Sequence, residues 1–234
     1  MTVPAGKMNK SSSQKPSAAS ARRRGLLRHV VLLGDALLDA YSSIDKTPGE
    51  FEEALLPGTR TQWKISVVSA AEIERAGLSL VLPEDATHAI IFIEGNHAIE
   101  QSGLLHSRPD AYGQKLDQLA LAADEFERTL ARLIHVAQAA HLVIMVCTMF
   151  QPNYKDPLRQ RTACAALAVF NDRVTKRAAE ARVALIDLRL ICNEPEDYDK
   201  PTLLSKSGLQ KAANVIRFAM FELNAGARRC EVFF

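Results

Sequence analysis

The chain has 234 residues, 47% of them hydrophobic, and a formal net charge of +2. That is enough apolar material for one sizeable core and does not require a second. No apolar run approaches the ~18 residues of a membrane helix. The four cysteines, Cys147, Cys164, Cys192 and Cys230, lie far apart without a C-x-x-C pair, which argues against a zinc site or a disulfide framework and for reduced thiols in an intracellular protein.

Residues 1–25 are rich in Ser, Ala, Lys and Arg, and seven basic residues from Lys7 to Arg28 precede the first acid, Asp35. Such a composition buries too little surface to offset its own ordering entropy, so a disordered tail is expected. Its basic, Ser-rich, acid-free character fits a transit peptide as well as a solvated tail, so the localisation expected is mitochondrial or cytoplasmic. Docking of the tail on an acidic partner, nucleic acid included, is a further reading. The folded part shows no basic stripe, and the absence of an apolar h-region argues against secretion. The expected organisation is a tail over 1–25, one domain over 26–225 and an extension over 226–234.

His29-Val30-Val31-Leu32-Leu33-Gly34 reads as a strand buried on both faces that stops at a tight turn. A short helix at Glu50–Leu56 starts after Thr47-Pro48-Gly49 and ends at Pro57-Gly58. A strand at Lys64–Ser69, a helical piece from Ala70 to Leu80 and a strand at His88–Ile93 follow. From Lys115 to Ala140, apolar residues recur at helical spacing. Leu142–Thr148 reads as a strand, Leu158–Ala181 as a helix, Val183–Leu188 as a fifth strand, and Asp199–Gly208 as part of a long loop containing Pro195 and Pro201. Ser205 is the N-cap expected for a last helix through Leu223. Five strands alternating with helices predict a three-layer α/β/α domain of flavodoxin-like type with a five-stranded parallel sheet.

In such a sheet, ligands bind at the carboxyl ends of the strands. The stretches expected there are Gly34-Asp35-Ala36, Ser69-Ala70, Gly95-Asn96-His97 and the Asp199–Gly208 loop. In order and spacing over residues 28–222, these blocks resemble the SGNH or GDSL hydrolases. The stretch from Val146-Cys147-Thr148 to Asp156-Pro157, Phe170-Asn171-Asp172 and Ile186-Asp187-Leu188-Arg189 resemble one bacterial-type branch.

The resemblance implies a pocket from Gly34, Asp35, Ala36, Ser69, Gly95, Asn96, His97 and Leu203. In the family's first block a serine follows Gly-Asp and attacks an acyl ester; here Ala36 stands in that place, and a methyl group cannot form an acyl-enzyme. The second block supplies a glycine N–H to the oxyanion hole, and Ser69 or Ala70 is the counterpart. In the third block, Asn96 matches the oxyanion-stabilising asparagine, with His97 where aspartate is usual. Counting back from Ser205 and Gly208, the Asp-x-x-His motif falls on Lys200 and Leu203, with Asp199 one residue off, and leucine cannot accept a proton.

The function expected is therefore that of an SGNH-fold protein that has lost esterase activity and acts as a binding or structural subunit of a larger assembly, without metal or cofactor. Its partners would be proteins reached through the basic tail and the Phe233-Phe234 terminus; folding back of those phenylalanines onto the chain's own core is the alternative. The alternative function is an active esterase with Asn96 in the oxyanion hole and a displaced nucleophile. Ser42, Ser43 and Cys147 are candidates, each with a plainer role as a solvated hydroxyl or a buried thiol. His97 has no identified nucleophile to serve. Asp35 is expected to cap the helix after the first strand, with Asp39 facing water. Asp187 with Arg189 is expected to be a structural ion pair.

Overall fold

A computed structural model describes residues 28–34, 50–55, 63–93, 99, 105, 112–223 and 230–234. In chain order these form β1 (Arg28–Gly34), α1 (Glu50–Leu55), β2 (Trp63–Val68), α2 (Ala70–Ala76), a 3-10 turn (Gly77–Ser79), β3 (His88–Phe92) and α3 (Tyr112–Ala139). There follow β4 (Val143–Cys147), α4 (Pro157–Ala181), β5 (Ala184–Ile186), α5 (Leu188–Ile191), a 3-10 turn (Pro195–Asp197), β6 (Tyr198–Lys200), β7 (Leu203–Leu204), α6 (Lys206–Glu222) and β8 (Val232–Phe233). The expected tail over 1–25 lies outside the described residues, as do Asp39, Ser42 and Ser43.

The main sheet is parallel, with strand order β2-β1-β3-β4-β5-β8. Alternation along each strand divides the apolar residues between two cores. Val31, Leu33, Ala89, Ile91, Ile144 and Val146 pack under α2, α3 and α4. Their neighbours Val30, Leu32, Ile90, Phe92, Met145 and Cys147 face α1 and α6 on the other side. Because both faces are covered, the strands read as unbroken apolar runs rather than alternating ones.

Two expectations are corrected. The sheet has six strands instead of five, because Val232 and Phe233 of the expected extension pair with Leu185 and Ile186. Phe233 packs on the second core and meets Phe218 edge-on at 6.2 Å, while Phe234 is 75% exposed. The long loop before the last helix is also structured. Pro195 opens a 3-10 turn at a position that has no need of a donated N–H, and Pro201 lies in the two-residue turn of the β6–β7 hairpin.

Helix ends follow local chemistry. Asp156 caps α4 by accepting from the Arg159 N–H at 2.8 Å, with Pro157 in the first turn. Ser205 caps α6 through the Gly208 N–H at 3.3 Å. Among the described residues, no helix is long and apolar enough to cross a membrane.

Candidate functional site

Strand order reverses between β1 and β3, since the chain steps outward from β1 to β2 and then returns to the other side of β1. In an open parallel sheet, the crevice at that reversal is the place for a ligand. Gly34 ends β1 there with φ +119°, and a Cβ at this position would overlap the Phe92 carbonyl oxygen of β3. Only glycine allows the two strands to close this tightly at the crevice. Asp35, Ala36, Gly95, Asn96 and His97 lie outside the described residues.

Ser69 follows β2 and begins α2. Its hydroxyl accepts from the Glu72 N–H at 3.3 Å, and the Glu72 carboxylate accepts from the Ser69 N–H at 2.9 Å and from its hydroxyl at 3.0 Å. These bonds hold Glu72 below the usual carboxylate range, the backbone bond first. They also occupy the Ser69 N–H, one of the two backbone donors expected for the oxyanion hole.

The loop before α6 carries the two positions, Lys200 and Leu203, that the resemblance assigns to an aspartate and a histidine. In the β6–β7 hairpin, Lys200 and Leu203 are register partners across the Pro201-Thr202 turn. An aspartate and a histidine three residues apart would therefore face each other, ready to hydrogen bond. Here an exposed lysine faces a half-buried leucine. Leu204 behind it is buried in the second core.

The loop is fastened at several points. The wholly buried Asp197 carboxylate accepts from the Glu194 N–H at 3.1 Å and lies 2.7 and 2.9 Å from Lys211 Nζ. Its carbonyl accepts from the Ser205 N–H at 2.8 Å. The Ser205 hydroxyl donates to the Glu196 carbonyl at 2.6 Å. Gly208 packs so closely on the Asp197 backbone that a Cβ would overlap the Asp197 carbonyl oxygen.

Beyond β4 and β5, polar side chains tie loops together. Thr148 donates to Asp187 Oδ1 at 3.0 Å and accepts from the Leu188 N–H at 2.9 Å. Arg189 reaches both Asp187 oxygens, at 2.8 and 2.5 Å, as the sequence suggested. Burial alone would raise the Asp187 carboxyl, but the bonds from Arg189 and Thr148 outweigh it and hold it below its ordinary value. The Asn171 amide clamps the Met149 backbone, accepting from its N–H at 2.8 Å and donating to its carbonyl at 3.1 Å.

The Tyr198 hydroxyl shares its proton between the Cys192 and Gln151 carbonyls at 2.6 and 2.7 Å. Between these groups lies a polar cavity of about 130 Å³ lined by Gln151, Asn153, Gln160, Arg189, Cys192 and Tyr198. The sequence did not signal it, because its lining is ordinary polar residues from four separate stretches.

None of the thiols is activated. Burial, then the Asp197 charge, pushes Cys192 up to about 12. Burial also raises Cys147, and it lies at 3% exposure, so it is unsuited to act as a displaced nucleophile. All four cysteines are free.

The parallel sheet, with its order reversing at a glycine-closed crevice, defines a doubly wound α/β fold. No family model and no curated protein matches the chain. Solved structures do match. An acetyl xylan esterase, AlAXEase, aligns with TM-score 0.55 and 16% identity over 83% of this chain and 100% of that one. A lipase from a goat-rumen metagenome gives 0.61 and 12% over 82% and 97%. A lipolytic G-D-S-L protein of Veillonella parvula gives 0.55 and 14% over 84% and 100%. The chain has the SGNH hydrolase fold.

Proposed function

We propose that this SGNH-fold protein has lost the serine esterase chemistry of the structures it resembles and works by binding, as a non-catalytic or structural subunit of a larger assembly. The observation that carries this reading is the Lys200–Leu203 pair across the β6–β7 turn. At the positions where the resemblance expects a carboxylate and an imidazole, neither side chain can hold a proton-accepting base in place. Ala36 at the nucleophile position supports the same reading from the sequence. Loss of one triad member leaves only the ~10³–10⁴-fold residual rate of oxyanion hole and binding, and loss of the second adds little because the triad acts as a unit.

A binding role draws support from the edge formed by β8, where Leu190, Phe218, Val232 and Phe234 are all exposed. With the basic tail, this edge is the surface for protein partners. Leaving such side chains in water is unfavourable, which favours a surface that is covered.

The test is restoration. Ala36→Ser combined with Leu203→His should produce turnover of short esters that depends on Asn96, at a rate far above that of the natural chain. Turnover by the natural chain that disappears in Asn96→Ala would overturn the reading.

A further inference from the structure

We propose that Ser66, His29 and Asp85 form an acyl-accepting serine site at the amino edge of the sheet, on the outermost strand β2. It is independent of the reading above, which concerns chemistry lost at the carboxyl edge, and would add an activity elsewhere: Ser66 pairs with Val31, three residues and about 10 Å short of Gly34 at the strand rise of a parallel sheet.

His29 is the second residue of β1 and pairs with Lys64 of β2. Two residues further along, on the same face, is Ser66. Asp85 comes from the turn before β3. His29 Nδ1 lies 2.7 Å from Asp85 Oδ1, and His29 Nε2 lies 2.7 Å from Ser66 Oγ. An ionised carboxylate only accepts hydrogen bonds, so Asp85 fixes the imidazole proton on Nδ1 and leaves Nε2 as the acceptor for the Ser66 O–H. A hydroxyl on a base that is itself oriented by a third group is the arrangement that activates a nucleophile.

The imidazole is held in place. It is 1% exposed, and the His29 backbone is fixed by Thr87, whose hydroxyl accepts from the His29 N–H at 3.0 Å and whose N–H donates to the His29 carbonyl at 2.8 Å. Asp85 is 63% exposed and also takes Lys64 Nζ at 3.2 Å. Ser66 is half-buried and lies on the edge strand of the sheet.

The step balances without a cofactor. Ser66 Oγ attacks the carbonyl carbon of a small activated ester, forming an O–C bond while its proton passes to His29 Nε2. The ester C–O bond breaks as Nε2 returns that proton to the departing alkoxide, which gives acyl-Ser66 and an alcohol. The Asp85 carboxylate, itself paired with Lys64, stabilises the intermediate imidazolium.

The test uses the full-length chain with a fluorophosphonate probe, followed by peptide mass spectrometry. One adduct is expected, on Ser66, requiring the folded chain and absent in Ser66→Ala. His29→Gln should slow labelling by ~10²–10⁴-fold, the usual contribution of a general base. Since that buried position is sensitive to folding, the exposed Asp85→Asn provides the second measure: slower by roughly tenfold or more, with recovery in Asp85→Glu. Ester turnover arising here must survive Asn96→Ala and vanish in Ser66→Ala, which separates it from the carboxyl-edge chemistry. No adduct on Ser66, or labelling equally fast in Asp85→Asn, would overturn the proposal and leave His29 as a strut between strands.

Discussion

At the carboxyl edge of the sheet, several polar side chains of the described residues tie loops and helix starts together: Asn171 holds the Met149 backbone, Tyr198 two carbonyls, and Ser69 and Glu72 each other. At the amino edge, two histidines that end neighbouring strands have opposite surroundings. His29 has a carboxylate on one ring nitrogen and a hydroxyl on the other. His88 lies beside Trp63 at 5.4 Å, and burial, then the nearby Arg28, lowers it to about 4. The fold supplies a crevice at one edge, but reactive geometry depends on which side chains meet. Among the described residues, the proposed serine site lies at the edge without the crevice.

The largest effect expected is at the crevice. Gly34→Ala forces a Cβ into the Phe92 carbonyl at a positive φ, which should cost more than about 4 kcal/mol. Soluble yield and chemical denaturation would show it; a near-native midpoint would mean that the crevice does not depend on that close approach. The amino edge should respond to acid. With His88 at about 4 in the folded chain against the ordinary 6.5 of a free histidine, the unfolded chain takes up the proton first as pH falls. Stability is therefore full above pH 6.5, is lost down to about pH 4, and then levels off in this respect. The loss amounts to about 3 kcal/mol. Urea unfolding at pH 7 and pH 4.5 measures it, and His88→Leu should flatten the difference. The smallest effects are at the helix caps: Ser205→Ala and Ser69→Ala should each cost about 1 kcal/mol. Ser205 should be the larger, because it is buried and its second bond holds the Glu196 carbonyl within the loop, whereas that of Ser69 meets the exposed Glu72. Equal costs would show that this second bond contributes nothing.

The strands of the two cores were legible because burial on both faces leaves an apolar run that periodicity detects, as at Val30–Leu33. α3 was legible because its one apolar face repeats over many turns. β8 was not, since two residues carry no period and only the register with Leu185 and Ile186 makes them a strand. The prolines of the last loop suggested irregular chain, but a proline also suits the first turn of a 3-10 helix or a hairpin turn, and sequence alone does not distinguish these uses. At the site, the spacing from Ser205 and Gly208 placed Lys200 and Leu203 in the motif, and the hairpin sets those two positions opposite each other. The His29 cluster was invisible for a simpler reason. Its partners are 37 and 56 residues away along the chain, and parallel pairing alone brings them to one face.

The loop from Glu194 to Lys211 is fastened by Asp197, Ser205 and the close seat of Gly208, and none of these bonds involves the side chain of residue 203. Its shape is thus insulated from what that position carries. Such a clasp lets one side chain be exchanged on an unaltered mount, so Leu203 is a position where chemistry can be added without rebuilding the scaffold.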